Sequence, residues 1–349
     1  MSNLCYLCTG KFGKWMNKIK FWFRNARPTS LPQSVMPSVL AVFLALGSDD
    51  FSIALALVAV AGVIAAHLAF NLFDDYFDYI RKPTGYRTEL KHEGFRARVS
   101  KCTYLTSGAA TVRELLAVCI LMLLLAAGIG VVVFAYRGMP VLYIAIMAAA
   151  LSFFYSAPPL RLSYHGLGEL VIGIVFGPLN MAGTYYAACG HMDWEILLVS
   201  VPVGLLVMNI VYVHSILDFI PDKKAGKMTL AVLLDNRKAM LAVEGAIVFL
   251  PYVSVVCGMI AGYLTPWHCL VFLTLPMAIS LFYMMQQYVA DPDRVFEPKP
   301  WMGPLNGWDW ITAAGIEWFM IRWLTARNLL AFFCLTIMVI CVLGVLPAL

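Results

Sequence analysis

Five aspartates in two clusters are the residues most suited to chemistry. Asp74, Asp75 and Asp78 lie in NLFDDYFDY, and Asp218 and Asp222 lie in HSILDFIPDKKAGKMTLAV. Both clusters close apolar runs long enough to fill a bilayer, where an ionised side chain is costly and therefore points to function. Spacings of three and four residues put His67, Asn71, Asp74, Asp75 and Asp78 largely on one helical face. In the second cluster Asp222 follows Asp218 by one turn, and His214 precedes it by one. Magnesium suits such groups: it takes oxygen ligands, keeps several waters, and is commonly held by one or two carboxylates plus substrate phosphates. Two facing carboxylate clusters therefore fit a diphosphate gripped through magnesium, with Arg161, Lys223, Lys224 and Lys227 as basic groups completing the clamp. A single aspartate at a helix end is equally well read as solvated or paired; two clusters at matched depth are not.

The elements that carry these residues are membrane helices. Of the 349 residues 61% are hydrophobic and 13% charged, against roughly 45–50% and about 25% in soluble domains. The reading is an all-α polytopic membrane protein with nine spans, near 32–48, 52–73, 115–135, 140–157, 167–188, 196–217, 239–262, 266–287 and 328–348. Basic loops stay on the cytoplasmic side. An inside N-terminus leaves only Arg137, of 25 lysines and arginines, on the outside. That places the acidic clusters at the cytoplasmic face and the C-terminus outside, and it explains the net charge of +5 without nucleic acid. All nine tryptophans fall at or beyond the ends of the expected spans, as indole rings favour the headgroup zone.

Residues 1–30 read as a cytoplasmic interfacial segment, ahead of one domain over 31–349. Phe12, Trp15, Met16, Ile19, Trp22 and Phe23 share one helical face and Lys11, Lys14 and Lys18 another. No cleavable signal peptide is evident. Cys5 and Cys8 form a lone CxxC, half of a zinc site, so no metal is assigned there. Pro221 would clash with the Leu217 carbonyl in a straight helix, so a break is expected near 218–221, with Asp222 on a connector. His67 reads as a packed or hydrogen-bonded helix residue rather than a ligand. Asn180 and Asn209 read as interhelical or cavity groups, and Glu169 as a helix-start charge or a site group. The connector 79–112 reads as a solvated loop or a lid over the site.

At these residues the sequence resembles the UbiA superfamily of intramembrane aromatic prenyltransferases. Asp74, Asp75 and Asp78 are similar to the superfamily's first aspartate motif, with Asp74 in an asparagine position, and Asp218 and Asp222 to its second. ARPTSLPQSVMPSVL from Ala26, NLFDDYFD from Asn71, YSAPPLRLSYHGLGE from Tyr155 with FGPL, and AGKMTLAV from Ala225 resemble the 1,4-dihydroxy-2-naphthoate polyprenyltransferases of menaquinone synthesis. His214, Ser215, Ile216 and Leu217 stand where those enzymes read N-N-x-R, so that arginine is missing, and Lys82 replaces an occasional acid.

The resemblance implies nine helices around a cavity open to the cytoplasmic side and laterally to lipid, in an integral protein of a bacterial inner membrane. It implies a polyprenyl diphosphate and a small aromatic acceptor as substrates, with two Mg2+ ions held by Asp74, Asp75, Asp78, Asp218 and Asp222. Asn71 assists from one turn away, and Arg161, Lys223, Lys227, Tyr155, Tyr212 and His214 contact substrate. Phe73, Tyr155 and Tyr212 are the rings for shielding an allylic cation. Other acceptors fit the same fold: 4-hydroxybenzoate, homogentisate or a glycerol phosphate lipid. A rival of another class, an ion-coupled transporter, reads the aspartates as cation sites.

Overall fold

Every regular element among the described residues is helical, and an isolated parallel bridge joins His165 to Met228. The computed structural model describes residues 16–81 and 102–345. The expectations for Lys11, Phe12, Lys14, Trp15, Lys82, the Cys5–Cys8 pair and most of the 79–112 connector lie outside the described residues.

Helix α1 covers 16–25. It is followed by α2 (Pro32–Leu44), α3 (Ile53–Arg81), the short α4 (Thr103–Thr106), α5 (Val112–Arg137) and α6 (Met139–Phe154). Then come α7 (Gly168–Cys189), α8 (Trp194–Leu217), the short α9 (Phe219–Lys224) and α10 (Leu230–Leu234), and α11 (Arg237–Ile260). The chain closes with α12 (Pro266–Ala290), the short α13 (Trp308–Ala313) and α14 (Glu317–Val345). Seven of these, α3, α5, α7, α8, α11, α12 and α14, are long and apolar enough to cross a membrane. The expected spans at 32–48 and 140–157 correspond to the shorter apolar α2 and α6. At 1.5 Å per residue the 13-residue α2 covers about 20 Å of a roughly 30 Å hydrocarbon layer.

The last helix differs from expectation. It begins at Glu317 and takes in Trp318 and Trp323, which the apolar pattern places ahead of a span starting at 328. Arg322 hides this extension in the sequence. Its guanidinium is fully buried, donates to the carbonyls of Met284 and Trp318, and lies 4.9 Å from the Tyr288 ring centroid. A charge satisfied by backbone oxygens and aromatic faces can sit inside a helix bundle.

Helix α8 is the most enclosed of the spans and packs on α7, α11 and α14. Its crossing with α7 is glycine-tight: a Cβ on Gly177 would stand 2.4 Å from Gly204 Cα. Pro178 lies in the same turn, and without its N–H the helix relaxes into a π segment over Val175–Leu179. Helix α5 packs along α3 and buries only Leu115, Cys119 and Val133. Its other face exposes Ile120, Leu121, Leu124, Leu125 and Val131, a surface made for lipid rather than water.

Candidate active site

Each acidic cluster is held by a different part of the fold. Asp74, Asp75 and Asp78 occupy the last two turns of α3, and α8 stops at Leu217 with Asp218 as its cap. The break expected at Pro221 is present: α9 restarts at Phe219, and the Asp222 N–H donates to the Asp218 carbonyl at 2.9 Å. From there the chain turns at Gly226, whose φ of +68° is open to glycine at little cost. The Lys227 N–H returns to the Asp222 carbonyl at 2.9 Å.

A cavity of about 1700 Å³ joins the two clusters. Arg27, Asn71, Asp74 and Asp75 line one side of its acidic end, and His214, Asp222 and Lys227 line the other. Beyond them it runs between α3, α5, α6 and α7 past small and apolar residues such as Gly62, Ala66, Ala145 and Gly183. Drug-sized pockets are typically about 300–1,000 Å³; this volume exceeds that range.

Around the first cluster the bonding is dense. Arg27 Nη2 donates to the Asn71 carbonyl at 2.7 Å and to Asp74 Oδ2 at 3.2 Å, and stands 3.3 Å from Asp75 Oδ1. The Asn71 amide donates to the Ala26 carbonyl and to Ser30 Oγ, which fixes the loop carrying Arg27. Ser156 donates to Asp74 Oδ1 at 2.6 Å, Tyr104 to Asp75 Oδ2 at 3.2 Å, and Tyr164 to Asp78 Oδ1 at 2.6 Å. Burial alone would lower the Arg27 pKa, but Asp75 and Asp74 outweigh it and hold the guanidinium above its ordinary value. Burial, then the neighbouring Asp75 carboxylate, push the Tyr104 phenol up, so it remains a donor. Phe21 and Trp22 of α1 pack edge-on against the Tyr104 ring. Arg27, Cys102 and Arg161 all have positive φ, each costing about 1–2 kcal/mol in a non-glycine residue. Such cost gathers where surrounding bonds over-determine the backbone.

The second cluster is drier. Asp218 is fully buried, and Asp222 nearly so. His214 Nε2 lies 3.0 Å from Asp218 Oδ2, so Asp218 is linked to the cavity through an imidazole that lines it. Glu169, buried at the start of α7, accepts from Ser215 of α8 and from the Leu230 N–H of α10, tying three segments under the site. Tyr164 bridges the clusters: it bonds Asp78, while Arg81 and Lys227 stand over its ring at 3.9 and 5.7 Å.

Asn71, Asp74, Asp75, Tyr155, His214, Asp222 and Lys227 line the cavity. Asp218 lies behind it, joined to it by His214, and Asp78 bonds Tyr164, whose ring lies beneath the cavity-lining Lys227. Lys223 is turned to Asp235, donating to both of its oxygens at 2.7 Å, and Lys224 is exposed. Arg161 sits at the cap of a turn, its backbone bonded to Ala157 and Tyr164. Tyr212 is fully buried and donates to the Met240 carbonyl, and Phe73 packs against Phe77 and Phe153. His67 is both hydrogen-bonded and packed: it bonds Ser34 and Ser30 and stacks on Phe176 at 4.6 Å, and it also lines the cavity.

Arg27, Tyr104, Ser156 and Tyr164 are not among the expected site residues. Arg27, Ser156 and Tyr164 lie in the stretches ARPTSLPQSV and YSAPPLRLSYHGLGE, which carry the resemblance as wholes. Singling out their polar members was the signal within reach.

Among the described residues no three acidic, histidine or cysteine groups close on one point. Magnesium is commonly held by one or two carboxylates, with phosphate and water completing its octahedron. The donors here are all carboxylates, and the Arg27 guanidinium between Asp74 and Asp75 shows that the pair attracts a cation.

The UbiA prenyltransferase family model matches residues 34–302. The chain belongs to the UbiA prenyltransferase family. It is 30% identical over 289 residues to the 2-carboxy-1,4-naphthoquinone phytyltransferase of Synechocystis, covering 80% of this chain and 87% of that one. It is 27% identical over 261 residues to the 1,4-dihydroxy-2-naphthoate octaprenyltransferase of Bacillus subtilis, covering 73% and 78%. A UbiA homolog from Archaeoglobus fulgidus bound to GPP and Mg2+ has the same fold, with a TM-score of 0.53 at 13% identity over 89% of this chain and 99% of that one. This UbiA family member is thus an all-helical integral membrane protein, with seven helices among the described residues long and apolar enough to cross a membrane.

Proposed function

We propose that this protein transfers a polyprenyl group from its diphosphate to an aromatic acceptor, 1,4-dihydroxy-2-naphthoate, as its naphthoate-named relatives suggest. One observation carries the reading: carboxylates of both motifs meet at one end of a single cavity whose walls elsewhere are mostly apolar. The diphosphate sits among Arg27, Asn71, Lys227 and the aspartates, and the isoprenoid tail lies between α3, α5, α6 and α7.

Asp74, Asp75 and Asp78 on one side and Asp218 and Asp222 on the other would hold magnesium, which neutralises charge developing on the leaving diphosphate. Arg27 and Lys227 add fixed positive charge at the same end. Tyr155 and Phe176 line the cavity and offer ring faces to an allylic cation. The apolar walls keep water from that cation. The acceptor carbon then attacks, and for a dihydroxynaphthoate carbon dioxide leaves as the new carbon–carbon bond forms. In this reading the site faces the cytoplasm, the described part of residues 1–30 lies along the membrane surface, and 31–349 form the catalytic domain.

The test is direct. Purified protein receives labelled polyprenyl diphosphate and, separately, dihydroxynaphthoate, 4-hydroxybenzoate, homogentisate or a glycerol phosphate lipid. Label is expected in the naphthoate product; transfer to another acceptor alone overturns the assignment.

A further inference from the structure

Arg327 lies ten residues into α14, about 15 Å along the helix from Glu317, within a membrane-length apolar segment. It lines the same cavity as the aspartates. Met320, Trp323 and Leu324 line it too, at the three- and four-residue spacing of one helical face. An arginine in such a helix is costly to keep and is ordinarily paired. Arg322, five residues earlier, follows that rule with its carbonyl partners. Arg327 does not: among the described residues its guanidinium donates to Asn328 Oδ1 at 3.2 Å and lies 5.8 Å from the Trp323 ring centroid, with no carboxylate beside it. Asn328 is itself fixed by donating to the carbonyls of Met302 and Pro304, so the contact on Arg327 is rigid.

The backbone of Arg327 is also set at a definite height on α14 relative to the acidic end. Phe319 packs edge-on to His214 at 5.0 Å, and Arg327 is eight residues further along α14, about 12 Å. Trp323 and, at the rim, Trp310 flank the intervening cavity wall.

We infer that Arg327 binds the carboxylate of the aromatic acceptor, with the acceptor ring lying against Trp323. This rests on the aromatic-acceptor reading above. The planar fork of an arginine matches a carboxylate through two parallel hydrogen bonds, and indole faces suit a flat ring. An anionic lipid headgroup has the same charge chemistry, but Arg327 faces the cavity that holds the substrates.

The experiment uses the full-length protein in phosphatidylcholine vesicles, with acceptor binding followed by tryptophan fluorescence. The probes are 1,4-dihydroxy-2-naphthoate and 1,4-dihydroxynaphthalene, which lacks the carboxylate. Arg327→Gln is expected to weaken binding of the acid about ten- to a hundredfold, the effect of losing a hydrogen-bonded charge partner. Binding of the carboxylate-free ring and the thermal midpoint should stay near wild type, and Arg327→Lys should fall between. Equal weakening for both probes, or none for the acid, overturns the inference. So does an effect confined to vesicles containing phosphatidylglycerol, which would make a lipid headgroup the ligand. If wild-type protein binds the acid through Arg327 yet transfers no prenyl group to it, the prenylation reading fails and the acid site stands. If transfer proceeds and Arg327→Gln leaves the acceptor KM unchanged, this inference alone fails.

Discussion

Arg27 and Asp74 are 47 residues apart in the chain and 3.2 Å apart in space. The same guanidinium nitrogen reaches the buried Asp75 at 3.3 Å. One cation thus holds the loop before α2 against the end of α3. Arg27→Gln leaves both carboxylates without it, and removing one partner of such a pair costs about 1–3 kcal/mol. The half-exposed setting of Arg27 favours the lower end. Prenyl transfer should drop at least about tenfold through a raised KM for the diphosphate. Arg27→Lys should recover part of it, since an ammonium lacks the fork that spans two carboxylates.

Asp75→Ala and Asp218→Ala should each abolish transfer, by about a hundredfold or more, while the protein still inserts into membranes. Chelation by EDTA should silence the wild type, and added magnesium should restore it. Near-normal turnover in either variant would break the assignment of two cooperating clusters. Magnesium-independent ion flux in liposomes would favour a transporter instead.

Glu169 offers a different kind of test, because it holds rather than reacts. Glu169→Ala removes the acceptor for Ser215 and for the Leu230 N–H together. The connector bearing Asp222 and Lys227 should loosen, seen as faster amide exchange over 225–231. The turnover number should fall about tenfold with the thermal midpoint little changed. Glu169→Gln keeps an acceptor oxygen and should sit closer to wild type.

The α7–α8 crossing predicts a stability effect separate from catalysis. A methyl group on Gly177 meets backbone at 2.4 Å, and forcing that overlap should cost about 1–3 kcal/mol or more. Gly128→Ala is the control, since nothing lies within 4 Å of its added Cβ. Thermal denaturation in detergent should separate the two variants clearly.

The helices and both acidic clusters were legible because they follow strong local rules: apolar runs of membrane length, and carboxylates at turn spacing. Pro221 marked its break for the same reason. The partners of the acids were harder to see. Tyr104, Ser156 and Tyr164 reach Asp75, Asp74 and Asp78 from 29 or more residues away, and no local pattern records such a meeting. Lys223 failed the other way: its charge and place beside Asp222 suggested substrate, yet the helical turn of α9 directs it to Asp235. Arg322 misled the placement of the last span because hydropathy counts a charge without knowing which carbonyls await it.

The cavity also acts as a measure. Along α3 it extends from Asp75 back to Ala59, about 24 Å of helix, and Val133, Phe134 and Val141 stand at its other end. Any linear lipid anchored by its head at the aspartates must either stop short of those side chains or leave sideways between helices. The protein's architecture thereby holds a ruler as well as a reaction centre, with its zero mark at Asp75.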